Sequence, residues 1–401
     1  VLRVVRVLAA VLLLVGVGAV PAWGDQVRDD AAAVLGALSV PRAWGSTRGA
    51  GVTVAVLDSG VDGEQADLAG AVTQGPDLTE GANPPGVAPR RVHGTSMASI
   101  IAGRGHGPTG AEGMVGVAPE ARVLAVRVIL ERDEPGFAAF TGDRRYESTI
   151  ARGIRHAVAH GADVINLSLG RSYPTRAERE AVAYAIGRGV VVVAAAGNGG
   201  ADATVRKARG GTFTYPASFP GVISVAAVDG QGRHAGFSNR NSAVSVSAPG
   251  VRIVGAGPGG QYWVGDGTSP ATAFVSGVAA LVRARHPKLP PALVAQAITR
   301  GARERPAGGY DLGVGFGRVD AWGALAVADR IAANRADGAG LAPGRRFAAG
   351  EAPATRVVHR SPGLIIVSLV ASAAALLGLA FAALSLTRRR GAARQWPDGP
   401  R

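Results

Sequence analysis

With 401 residues, 47% of them apolar, the chain can bury a large core and is not a generally disordered sequence. It has no cysteine, which excludes thiol catalysis, cysteine metal centres and disulfides. The net charge of +14 does not mark a nucleic-acid partner: Arg3, Arg6, Arg388, Arg389, Arg390, Arg394 and Arg401 flank two apolar ends, the other arginines are scattered, and aromatics are only 5%.

Residues 1–24 carry a basic start (Arg3, Arg6), an apolar run from Val7 to Val20, and then Pro21-Ala22-Trp23-Gly24. That is the pattern of a secretory signal peptide, with cleavage expected after Ala22 or Gly24. Residues 25–44 read as a short extension linking this segment to the central region.

From 45 to 330 short apolar runs alternate with helical patterns. This predicts an α/β domain with a mostly parallel central sheet and helices on both faces. Strands are expected at Val52–Leu57, Arg122–Val128, Val164–Leu169, Val190–Ala195, Val222–Ala227 and Ala243–Ser247. Their near-continuous Val, Ile and Ala content predicts strands covered on both faces. Helices are expected at His93–Gly103, Glu147–His160, Arg176–Gly187, Ser269–His286, Pro291–Arg300 and Asp320–Ala333. The stretch Glu131–Tyr146, with Pro, Gly and mixed charge, reads as a loop inserted between a strand and a helix.

Residues 331–363, rich in Ala, Gly, Arg and Pro, read as a tether. Residues 364–386 contain no charge and are long enough, at about 1.5 Å per residue, to cross a hydrocarbon core of about 30 Å. Arg388-Arg389-Arg390 open a basic tail, 387–401, expected to stay in the cytoplasm by the positive-inside bias. The expected location is therefore the cell membrane: a single pass, with the 45–330 domain outside.

Three segments supply nucleophilic chemistry. Asp58 closes an expected strand and is followed by Ser-Gly. His93 opens a small-residue helix, and an imidazole with a pKa near 6.5 can take and return a proton around neutrality. Ser269 follows Gly267-Thr268 and precedes Pro270, which is expected at the first helical position. There the helix dipole would favour a developing oxyanion. A serine hydroxyl needs such a base, and the base needs an orienting carboxylate. Asp62 and Asp67 are nearby alternatives to Asp58, Asp62 being better suited to a turn. The six remaining histidines are read as surface or structural. Asn198, at the glycine-flanked end of a strand, can present its amide as an oxyanion donor beside the Ser269 N–H.

The order Asp…His…Ser is that of subtilisin and differs from chymotrypsin and the α/β-hydrolases. The chain thus resembles the subtilisin-like serine proteases (subtilases, S8), and the resemblance extends over 45–330. It implies a subtilisin-like fold with one added C-terminal transmembrane helix, and a serine endopeptidase acting on a protein or peptide substrate. It implies that Ser168, Leu169 and Gly170 pair with an extended substrate. Ala195, Ala196 and Gly197, with Tyr215-Pro-Ala-Ser-Phe-Pro-Gly, look like walls of the primary specificity pocket. Gly315-Phe-Gly-Arg-Val-Asp-Ala resembles the family's closing helix motif.

The sequence also departs from the family. Pro270 and Ala273 stand where Met and Pro are common, and Gly199 stands where many relatives carry a polar pocket residue. Gly103–Gly116 replaces a region where bacterial relatives often bind calcium. Glu112 is its only carboxylate, and Asp67 could add one more, short of a full oxygen cage. No cofactor is therefore expected, and calcium stays open as an alternative without a complete ligand set. Signal peptide, catalytic domain and C-terminal span together most resemble the mycosins, membrane-anchored proteases of type VII secretion. Alternatives are a scaffold subunit of a secretion complex and a degradative surface protease.

Overall fold

The computed structural model describes residues 24–200, 212–336 and 362–392. The expected signal peptide, residues 1–23 of it, and residues 337–361 of the tether lie outside the described residues. The chain divides into two units between Asp337 and Gly338.

The first unit is built on strands β1 (Thr53–Asp58), β2 (Val72–Asp77), β3 (Arg104–His106), β4 (Glu112–Val115), β5 (Arg122–Arg127), β6 (Val164–Leu167), β7 (Val191–Ala195), β8 (Ile223–Val228), β9 (Val244–Pro249), β10 (Ile253–Ala256) and β11 (Tyr262–Gly265). Seven of them form one parallel sheet in the order β2-β5-β1-β6-β7-β8-β9. Its helices are α1 (Gly24–Ala37), α2 (Val40–Trp44), α3 (Val92–Ala102), α4 (Phe137–Gly142), α5 (Thr149–Ala159), α6 (Arg176–Gly187), α7 (Thr268–Arg285), α8 (Pro291–Gly301) and α9 (Ala321–Ala336).

Side chains alternate across the sheet because successive residues of a strand face opposite ways. Val54 and Val56 enter one core with α1, α3 and α7, while Ala55 and Leu57 enter the other with α5 and α6. Both faces are covered, as the continuous apolar strands require. Helix α7 is enclosed by protein, buried from Pro270 to Arg283, which explains its predominantly apolar sequence, rich in small residues.

Two features of the main core and the seven-stranded sheet differ from the sequence expectation. Residues 25–44 are not a link. They form α1 and α2, whose Val27, Ala31, Leu35, Leu38, Val40 and Ala43 are buried in the main core. Val27, Ala31 and Leu35 recur every four residues, the stripe of a helix with one apolar face. The seventh sheet strand, β2, was not expected from its polar Val-Thr-Gln-Gly-Pro-Asp sequence; it is an edge strand with a half-exposed surface.

The second unit contains helix α10 (Pro362–Ala392). Its segment Ile366–Ser385 has a mean hydropathy of 2.3 and is long and apolar enough to cross a membrane.

Candidate active site

In a parallel sheet every strand delivers its next loop to the same edge, and every following helix points its N-terminus back there. Asp58 is the last residue of β1, Ser168 follows β6, Asn198 lies just past β7, and Glu131 lies just past β5. His93 and Ser269 are each the second residue of a helix, α3 and α7. His93, Ser168, Asn198 and Ser269 line one open cleft of about 720 Å³, with Asp58 behind His93.

Asp58 is fully buried. Its Oδ1 accepts from the Ser59 N–H at 2.7 Å and from His93 Nδ1 at 2.7 Å. A carboxylate only accepts, so His93 carries its proton on Nδ1 and turns a basic Nε2 away. The His93 side chain is 36% exposed and reaches the cleft. Desolvation opposes a charge on this imidazole. The charge and hydrogen bond of Asp58, with the charge of Glu131, outweigh it and hold the His93 pKa above its ordinary value. Among the described residues, Asp58 Oδ2 is buried with no hydrogen-bond partner.

Glycine permits this approach. A Cβ on Gly94 would collide with the carbonyl oxygen of Gly60, in the turn after Asp58. Gly60 itself has φ +96°, a conformation that disfavours side chains.

Ser269 is half-buried, in the first turn of α7 rather than at its cap. The cap position is Gly267, and the first-turn donor of Thr268 is satisfied from across the cleft. Asn198 Oδ1 accepts from Thr268 N–H at 2.9 Å and from its hydroxyl at 2.9 Å. That contact fixes the carboxamide with its oxygen toward Thr268, so the Nδ2 group is left to face the cleft beside Ser269. Among the described residues Ser269 Oγ has one hydrogen-bond partner, the Ser168 carbonyl at 3.1 Å, and not His93. Pro270, at the third helical position, costs no bond there because first-turn N–H groups lack helical partners.

Below the serine lies a buried polar chain. Asn166 Nδ2 donates to Ser168 Oγ at 3.1 Å, and Asn166 Oδ1 accepts from Ser276 Oγ at 2.9 Å. Ser276, seven residues after Ser269 on α7, thereby locks this helix to β6.

Leu169 and Gly170 line this cleft beside Ser168, while Ala195, Ala196 and Gly197 lie at the end of β7, next to Asn198. Ala195 and Ala196 are buried, and the Ala196 carbonyl accepts from Thr214 and Asn239 side chains at 2.6 and 2.8 Å. Further lining residues come from elements whose role the sequence did not reveal. The inserted loop gives Glu131, Phe137 and Phe140, and the β10–β11 hairpin gives Trp263 and Val264. The available signal was positional: Glu131 begins the loop at the ligand-binding edge, next to β1.

Asp67 does not offer itself to a cation. Its Oδ1 is taken by His106 Nδ1 at 2.6 Å, and its Oδ2 accepts from Met114 N–H and Tyr262 OH, both at 2.8 Å. The adjacent loop carbonyls of Gly110, Ala111 and Glu112 accept from the Arg28 guanidinium at 2.6–2.9 Å. Protein donors thus occupy both Asp67 oxygens and these three loop carbonyls, so the residues as arranged offer no free oxygen cage for a cation. Among the described residues no three His, Asp or Glu side chains gather to hold a metal.

The family model described as Subtilase family matches residues 49–317. Thermophilic serine proteinase of Bacillus sp. (strain AK1) is 42% identical over 241 residues, 60% of this chain and 54% of the relative. Thermitase of Thermoactinomyces vulgaris is 38% identical over 61% of this chain and 79% of the relative. The chain thus spans about half the length of the former and most of the latter. Among solved structures, the serine protease MycP1, described as an essential component of the type VII (ESX-1) secretion system, aligns with a TM-score of 0.62 at 33% identity, covering 77% of this chain and 90% of that one. MycP3 from the ESX-3 system aligns with a TM-score of 0.58 at 32% identity, covering 73% and 87%.

Proposed function

We propose, on the premise that this chain belongs to the subtilase family, that it is a serine endopeptidase working through Asp58, His93 and Ser269. The observation that carries the reading is the 2.7 Å contact of Asp58 with His93 Nδ1, in the cleft that also receives Ser269 and Asn198.

A peptide strand enters beside Ser168–Gly170, adding main-chain hydrogen bonds as an extra strand would. The Ser269 hydroxyl leaves the Ser168 carbonyl by rotation about its χ1 and turns toward His93 Nε2. Such bonds are often loose before substrate binds. Oγ attacks the carbonyl carbon as its proton passes to Nε2, and Asp58 stabilises the imidazolium. The oxyanion receives Asn198 Nδ2 and the Ser269 N–H. The intermediate collapses, the C–N bond breaks, and the imidazolium protonates the leaving amine. Water then repeats the sequence on the acyl-enzyme and frees the acid.

The apolar helix α10 supports a membrane-anchored protease with its domain outside and its basic tail in the cytoplasm. The likeness to MycP1 and MycP3 supports a role beside type VII secretion machinery.

The test is labelling of the full chain with a fluorophosphonate. One covalent adduct is expected in the wild type and none in Ser269→Ala. An unlabelled wild type, or an adduct that persists in Ser269→Ala, overturns the assignment.

A further inference from the structure

Helix α3 begins without a side-chain cap of its own. Its cap position is Arg91, at φ 58°, whose side chain accepts no first-turn N–H. The donors are met from other segments. The His93 N–H donates to Glu131 Oε1 at 2.9 Å, and the Gly94 N–H donates to Ser59 Oγ at 3.1 Å. The Ser59 hydroxyl donates to the same Glu131 Oε1 at 2.7 Å. One carboxylate oxygen therefore joins the turn that carries His93 to the turn that carries Asp58.

Glu131 is itself held. Its side chain is 13% exposed, and its N–H donates to Glu134 Oε1 at 3.1 Å. Glu134 is fully buried, and its Oε2 accepts from Arg127 Nη2 at 2.6 Å and Asn83 Nδ2 at 2.5 Å. A buried ion pair thus anchors the turn that aims Glu131.

From these contacts we infer that Glu131 is a positioning residue for His93: its carboxylate supplies the missing cap of α3 and a second anion beside the imidazole. The inference rests on the hydrolytic reading of the cleft. A negative charge at a helix N-terminus is favourable in itself, and an anion near an imidazole favours its protonated form. The charge of Glu131 contributes to the raised His93 pKa. Other charged groups nearby do not take its place. Arg90 pairs with Asp133 and sets its Nε 3.9 Å from Glu131 Oε2, the oxygen that does not bond the His93 N–H, Arg91 and Arg127 flank Gly60 with their stems, and Arg132, Arg171 and Asp266 line the cleft without bonding to His93.

Glu131→Gln keeps an acceptor for Ser59 and His93 but removes the charge, whereas Glu131→Ala removes both. The second-order rate of fluorophosphonate labelling is measured from pH 5 to 9 on the full chain in detergent. For Glu131→Gln the acid limb is expected to move down by about half a pH unit, with a plateau about threefold to tenfold lower because the imidazolium formed in the transition state has lost an anion. Glu131→Ala is expected to show the same shift and a lower plateau. A role confined to holding the loop would lower thermal stability and leave the limb in place. Coincident limbs in Glu131→Gln and wild type overturn the inference even when Ser269 labels normally. A wild type that does not label sinks the hydrolytic reading instead. The His93 titration, followed by NMR in histidine-labelled protein with His93→Gln for assignment, then decides the Glu131 inference. A lower midpoint in Glu131→Gln supports it, and an unchanged one overturns it.

Discussion

The hydroxyls of Ser168 and Ser269 are bonded reciprocally to each other's main chain: Ser269 Oγ donates to the Ser168 carbonyl at 3.1 Å, and Ser168 Oγ donates to the Ser269 carbonyl at 3.0 Å. The proposed nucleophile is thus parked on the segment proposed to receive an incoming peptide. Ser168→Ala keeps the parking carbonyl but leaves the Ser269 carbonyl and Asn166 Nδ2 short of a partner. A loss of about 1–3 kcal/mol is expected, read by denaturant unfolding, with a fall in labelling rate as α7 loosens. Unchanged stability would show that Ser168 Oγ is not a structural tie.

Asn198→Ala removes one proposed oxyanion donor. A drop in kcat of about 10²–10³ is expected with little change in KM, because the donor acts on charge that develops only in the transition state. Asn198 also caps Thr268, so Asn198→Asp is the companion variant: it keeps the acceptor for Thr268 and loses the Nδ2 donor. A KM effect without a kcat effect in both variants would assign Asn198 to ground-state binding.

The raised His93 pKa fixes the sign of the pH dependence. Catalysis needs neutral imidazole, so kcat/KM rises as pH increases through the folded-state pKa, with a midpoint expected above about 6.5. Stability runs the other way. The folded state favours the proton, so the His93 contribution is fully present below the unfolded pKa and is lost as pH rises through the folded one. Asp58→Asn is expected to lower the midpoint and to cut kcat by about 10⁴. A kinetic midpoint below about 6 in the wild type would contradict the assigned base.

Gly94→Ala introduces a methyl group where the Gly60 carbonyl stands. The helix start must shift away from the Asp58 turn, and an overpacked contact of this kind costs about 1–3 kcal/mol. The expected result is lower thermal stability with a disproportionate loss of labelling, since the shift separates His93 from Asp58. Stability lost with labelling kept would mean that the turn yields without moving the imidazole.

Arg28 on α1 ties three carbonyls of the 110–112 loop. Arg28→Met keeps much of the apolar stem and removes the donors. It is expected to lower stability by about 1–3 kcal/mol, read as a fall in Tm of several degrees. Addition of a chelator is expected to leave the wild-type Tm unchanged, because both Asp67 oxygens are already occupied by protein donors. A chelator-induced fall in Tm would reveal a cation that this packing does not accommodate.

What the sequence determined by itself was local. The strands carrying Asp58 and leading to Asn198, and the helices carrying His93 and Ser269, lie within one or two residues of their expected places. Alternation, helical spacing and glycine placement are written in neighbouring residues, and nucleophile, base and acid are recognisable by type and order. Only the tertiary structure decided what distant segments do to one another. The strand order puts β5 beside β1, and that adjacency brings Glu131 to His93. Folding of α1 onto the core brings Arg28 to a loop more than eighty residues away. Assembly of the sheet also buries Ala195 and Ala196 and brings Phe137, Phe140 and Trp263 to the cleft. Hydrogen bonds and charge act over a few ångströms of space and take no account of separation along the chain. The partners of a catalytic side chain therefore appear only when the strands have come together.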